Sequence, residues 1–185
     1  MIDKLNEQDV AHTVNRPELL VSGSDREFRA LIQELFAMAA GIEAAQAGFA
    51  AMIGLSPSQY ALLVSVRHLE GERTVGVTRL ARYLRLSAPF VALEVARLVK
   101  SGLLRKRADS SDGRRIRLNV TPKGRRLLAT LAPDQARVND IIFQNLTTQE
   151  FRELRRLLGK LAFGAERGIA LLDYLVGERE LRAAV

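Results

Sequence analysis

Between Thr78 and Gly102 the chain has room for two short helices joined by a tight turn. Thr78 is a natural cap for an apolar run at helical spacing, Leu80, Ala81 and Leu84. Only three residues after Leu84, Ser87 offers a second cap, followed by Phe90, Val91, Val95 and Leu98, with Gly102 as the stop. Such a pair is a helix-turn-helix. The next stretch of chain is equally restrictive: Leu103 to Arg107, then Ala108 to Gly113, then Arg114 to Val120 with Ile116, Leu118 and Val120 alternating. Asp and Gly between two strand-like runs make a β-hairpin.

The flanks are helical. Residues 1–24 are aperiodic, with Pro17 and Gly23, and form an arm expected to be mobile unless a partner chain pins it. From Asp25 onward Phe28, Leu31, Ile32, Leu35, Phe36, Ala39 and Ile42 recur at three and four residue steps, behind Ser24 or Asp25 as cap. Ser56, Pro57 and Gln59 compose a capping box for a helix that carries Leu62, Leu63, Val66 and Leu69 and stops near Gly71. After the hairpin, Thr121-Pro122 restarts a helix that is disturbed at Pro133 and resumes through Val138, Ile141 and Ile142. Thr147 to Glu150 is a second capping box, opening a long helix with Phe151, Leu154, Leu158, Leu161, Ala165, Ile169 and Leu172. The expected fold is mainly α with a small hairpin wing, ordered as four helices, the hairpin and two helices. Its expected parts are an arm (1–24), an N-terminal helix contributing to dimerisation (25–55), a winged helix-turn-helix (56–121) and C-terminal dimerisation helices (122–185).

Charge points to the partner. The 185 residues include 28 Lys and Arg against 21 Asp and Glu, a net charge of +7. Eleven of those cations and only two acids lie between Arg97 and Arg126, so the remainder of the chain is slightly acidic. A cationic cluster on a helix-turn-helix and its hairpin is the footprint of a polyanion binder, because each neutralised phosphate releases condensed counterions.

The absence of cysteine removes disulfides, thiol nucleophiles and Cys-type zinc sites. The two histidines, His12 and His68, belong to no spacing motif and read as structural or solvated. There is no Gly-rich phosphate loop and no carboxylate cluster at metal-ligand spacing, so neither a cofactor nor enzyme activity is expected, a nucleic-acid-acting enzyme being the remote alternative. The first twenty residues lack the apolar core of a secretory signal, and the tail from Ile169 to Val176 is too short to span a bilayer, so a cytoplasmic protein without a membrane partner is expected.

The segment resembles the winged helix-turn-helix of MarR-type transcriptional regulators. The resemblance is carried most specifically by the wing residues Asp109, Asp112, Arg114, Thr121 and Gly124. It continues in Leu80-Ala81, Leu84, Pro89, Val91, Val95, Leu98, Gly102 and Leu103, and in the openings Leu55–Gln59 and Leu146–Glu150. It implies a homodimer that binds a palindromic site on double-stranded DNA and responds to a small organic effector, aromatic or anionic. It also implies that Arg114 enters the minor groove, oriented by Asp112.

The candidate DNA-contacting residues are Thr78, Arg79, Ser87, Ala88, Pro89, Phe90, Ala92, Leu93, Arg97, Arg105, Lys106, Arg107, Asp112, Arg114 and Arg115. Few of those on the second helix can make bidentate base contacts. Thymine methyl contacts and DNA shape then carry part of the readout, with Arg79 and Arg97 on the backbone, and Phe90 is either core or interface. A non-specific architectural binder is the alternative this thin readout supports. Candidate effector-wall residues are Phe36, Tyr60, Leu63 and Arg67.

Overall fold

The computed structural model describes residues 11–70, 75–108 and 116–183. Its elements are a 3-10 turn (Pro17–Leu19), α1 (Arg26–Met52), α2 (Pro57–Leu69), α3 (Val77–Leu84), α4 (Ala88–Lys100), β1 (Leu104–Ala108), β2 (Ile116–Val120), α5 (Pro122–Thr130), α6 (Ala132–Phe143) and α7 (Thr148–Ala183). The chain divides into two compact units, residues 1–135 and 136–185.

In the first unit, α1 runs ten residues beyond the last expected apolar position, Ile42, to Met52. It is long and apolar enough to cross a membrane by those two criteria alone, with a mean hydropathy of 1.4 over its most apolar window. Its C-terminal end is instead docked: Phe49 and Ala50 pack with Tyr60 and Leu131, the two rings 6.4 Å apart and tilted by 50°.

At the other end of α1, Asp25 is the N-cap residue but makes no side-chain capping bond. Its buried carboxylate turns back to the arm and accepts from the Thr13 amide (2.8 Å) and the Thr13 hydroxyl (2.7 Å). The arm is thereby tied to its own chain. The two Thr13 bonds, amide first, hold the Asp25 carboxyl below the usual carboxylate range, with Arg29 and then His12 adding to the effect. A carboxyl depressed on folding stabilises the fold above its unfolded value, about 3.9, and that contribution is lost as pH falls through the lower, folded value. The Thr13 amide resonance should accordingly titrate with a midpoint below about 3.9, and the titration should vanish in Asp25→Asn. A midpoint at or above that value would show that the bond is not made in solution.

The helix-turn-helix forms as its caps dictate, with one correction. Ser56 accepts from the Gln59 amide while the Gln59 side chain takes the Ser56 amide, the full capping box. Ser87 accepts from the Phe90 amide. Thr78 is not the cap of α3: the helix starts at Val77 with Gly76 in the cap position, its backbone extended, leaving Thr78 exposed in the first turn. An N-cap needs only an extended backbone and a free carbonyl, which Gly76 supplies to Leu80. The turn into α4 is made by Arg85, left-handed at φ 53°.

The buried faces of α2, α3, α4 and the hairpin share one core, including Leu62, Leu63, Val66, Leu80, Val91, Val95, Leu98, Leu118 and Val120. β1 and β2 are antiparallel, Leu104 opposite Val120 and Ala108 opposite Ile116, and Val75 adds a rung by accepting from the Leu118 amide. Thr121 caps α5 and donates to the Gly102 carbonyl at 2.6 Å.

The helix expected to be disturbed at Pro133 is two helices, α5 and α6, separated at the buried Leu131. Proline excludes the helical carbonyl four residues earlier, and at Pro133 it falls in the first turn of α6, where its missing N–H costs nothing. In the second unit, Thr147 and Glu150 form the expected cap of α7: Thr147 accepts from the Glu150 amide and Glu150 takes the Thr147 amide and hydroxyl. None of the 36 residues of α7 is buried.

Candidate nucleic-acid interface

Ser87 starts α4 so that Val91, Val95 and Leu98 enter the core and the opposite side faces outward. Ala88, Pro89 and Ala92 are exposed, as are Phe90 (38%) and Leu93 (52%). Phe90 therefore lies outside the core. On α3, Thr78 and Tyr83 are exposed and Arg79 is half-buried. On β1, Arg105 is half-buried while Lys106 and Arg107 are exposed. Arg107 sits directly opposite Arg117, a like-charge pair that costs stability unless an anion or other partner relieves it. Arg117 donates to the Glu70 carbonyl at 3.3 Å. Asp112, Arg114 and Arg115 lie outside the described residues.

Two residues that sequence reading missed organise this surface. Glu94, only 3% exposed, sits on the inner side of α4, where it takes Nη1 of Arg97 and, at 3.0 Å, Nε2 of Gln59. The signal was present: a lone carboxylate at a core-facing position, three residues before an arginine. Glu70, at the end of α2, accepts from the Val120 amide (2.6 Å) and from Arg125 (2.8 Å), with Arg67 at 3.6 Å. One carboxylate thus ties α2 to the wing strand and to α5.

The four effector-wall candidates are not gathered. Leu63 belongs to the main core, and Tyr60 belongs to the cluster with Phe49 and Leu131. The Tyr60 hydroxyl accepts from Gln135 at 2.7 Å, and burial pushes its phenol above the ordinary value. Arg67 is paired with Glu70, and Phe36 is 66% exposed. A cleft of about 470 Å³ is lined by other residues, among them Gln46, Ser65, His68 and Tyr83. His68 and His12 are both exposed.

Residues 53–115 match the model of the MarR family. This segment is similar to the MarR family. Solved structures agree over a longer stretch. A MarR-family regulator from Silicibacter pomeroyi is 20% identical with a TM-score of 0.61, covering 80% of this chain and 94% of its own. A MarR-family protein from Bacillus stearothermophilus is 20% identical with a TM-score of 0.60, covering 77% and 98%. MepR of S. aureus, solved as a DNA complex, is 15% identical with a TM-score of 0.53, covering 81% and 99%. No curated protein matches the chain. The fold is that of the MarR-family transcriptional regulators, a winged helix with a two-stranded wing.

Proposed function

We propose that the protein is a cytoplasmic, homodimeric repressor that binds a palindromic operator and is released by a small aromatic or anionic organic effector. The observation that carries the DNA-binding part is an exposed α4 beside a hairpin strand bearing Arg105, Lys106 and Arg107. A helix of this size fits the major groove, and the adjoining cations neutralise phosphates. Dimerisation is supported by the large apolar side chains that α7 leaves exposed, among them Phe151, Leu158, Leu161, Ile169 and Leu172. Two copies would present two recognition helices to half-sites about 34 Å apart. The effector rests on the family resemblance alone.

Fluorescence anisotropy with a selected palindromic duplex and a random duplex, at the same salt, tests the reading. Specific binding should be tighter by about a thousandfold or more. Equal affinities would favour the architectural reading, which the scarcity of hydrogen-bonding groups on α4 supports. Arg114→Ala should weaken operator binding by about 1–3 kcal/mol with an unchanged melting curve, because a wing-tip side chain contributes to DNA contact and little to the core. Unchanged affinity would remove Arg114 from the interface.

A further inference from the structure

The outward positions of α4 are unusual for a helix that reads DNA. Pro89, Ala92, Leu93 and Ala96 are exposed, and none has a side chain that can hydrogen-bond a base. Arg97, the cation nearest to them on α4, is bonded to Glu94, whose buried carboxylate is held in turn by Gln59 of α2. Glu94 lies between the helix's core positions Val91, Val95 and Leu98, and its carboxylate holds one Nη of an Arg97 side chain that is otherwise 58% exposed. Exposed cations lie on α4, in the turn before it and on the elements packed against it: Arg82, Arg85, Lys100, Lys106 and Arg107. An apolar strip on a helix with cationic neighbours suits a polyanion that also offers apolar groups. In duplex DNA those groups are the thymine 5-methyls on the floor of the major groove.

Resting on the DNA-binding reading above, we propose that α4 reads thymine methyl groups through Pro89, Phe90, Ala92 and Leu93. Glu94 is a specificity-determining residue that withholds Arg97 from the phosphates. A free arginine at this position would add sequence-independent attraction; its pairing with a buried carboxylate leaves the reading surface apolar and selective.

The test uses the full chain and a duplex obtained by selection from a random library. Replacing dT by dU one position at a time removes only the methyl group. At one or more positions in each half-site the affinity should fall about fourfold, the factor that burial of one methyl-sized group carries. Leu93→Ala should erase the difference between dT and dU at the position Leu93 covers. Glu94→Gln, which keeps the shape and the Gln59 contact, should raise affinity for random duplex and steepen the slope of log K against log salt by about one. Arg97→Gln leaves the buried carboxylate a donor and guards against a misfolded Glu94 variant; its salt slope should equal that of the parent.

A chain that binds no duplex would overturn the DNA-binding reading itself. Tight binding to the selected duplex with no dU effect at any position would overturn only the methyl readout, as would a Leu93→Ser variant of unchanged affinity, which would assign the strip to a protein partner. An Arg97→Gln slope shallower by about one would show that Arg97 neutralises a phosphate after all, and would overturn the role given to Glu94.

Discussion

Gly124→Ala should destabilise the protein by about 1–3 kcal/mol, although alanine is the better helix former by about 1 kcal/mol. The reason is steric. Gly124 is buried in the first turn of α5, and a Cβ there would stand 2.5 Å from the Leu103 carbonyl oxygen and 2.8 Å from Cγ1 of Val120. The first of these is backbone at the start of the wing and cannot swing aside as a side-chain tip would. Relief requires α5 to move away from the hairpin, against the Thr121 cap and the Arg125–Glu70 pair that hold it there. Gly159→Ala, in α7, is the matched control, since nothing lies within 4 Å of its added methyl. It should leave stability unchanged or raise it by up to about 1 kcal/mol. Thermal unfolding compares the two; a Gly124→Ala melting temperature at or above the parent's would refute the close approach of α5 to Leu103 and Val120.

The second large effect concerns α7. The protein should run at twice 20.5 kDa in light scattering, and Leu158→Asp combined with Leu172→Asp should shift it toward the monomer mass. Phe151, Leu158, Leu161, Ile169 and Leu172 form one stripe at helical spacing, all exposed in the single chain. In a two-fold dimer the two substitutions remove four leucines from the interface, which costs about 6 kcal/mol or more before any penalty for the buried carboxylates, roughly ten-thousandfold in dissociation constant. Phe163 is also exposed but falls on another side of the helix, so Phe163→Ser should leave the dimer intact. A monomer mass for the parent chain at micromolar concentration, or equal dissociation of both variants, would refute this interface.

Residue order alone made legible the interactions that span three or four positions. The Ser56, Ser87 and Thr147 caps, the Gly102 stop and the alternating strand from Ile116 to Val120 all form as expected. Each joins a side chain to backbone within one turn, or arises from strand pleat, and so depends little on the rest of the fold. Even there a local ambiguity survived: Gly76 and Thr78 both suit the start of a helix, and packing of Leu80 and Ala81 into the core chose the frame in which Gly76 is the cap.

The remainder was decided by contacts between residues far apart in the chain. Whether Phe90 faces the core or solvent depends on how α4 is rotated against α2 and the hairpin, which no periodicity within α4 specifies. Glu94 looks like an ordinary helix carboxylate until Gln59, 35 positions earlier, is folded against it. Glu70 reaches Val120 and Arg125 across 50 and 55 positions, whereas its pairing with Arg67 lies within one helical turn. Gly124 stands out in sequence only through the family resemblance, and the reason it must be glycine is the carbonyl of Leu103. Local order is specified by short-range hydrogen bonding and pleat; the burial of a charge, and the space left for a methyl group, exist only once distant elements pack together.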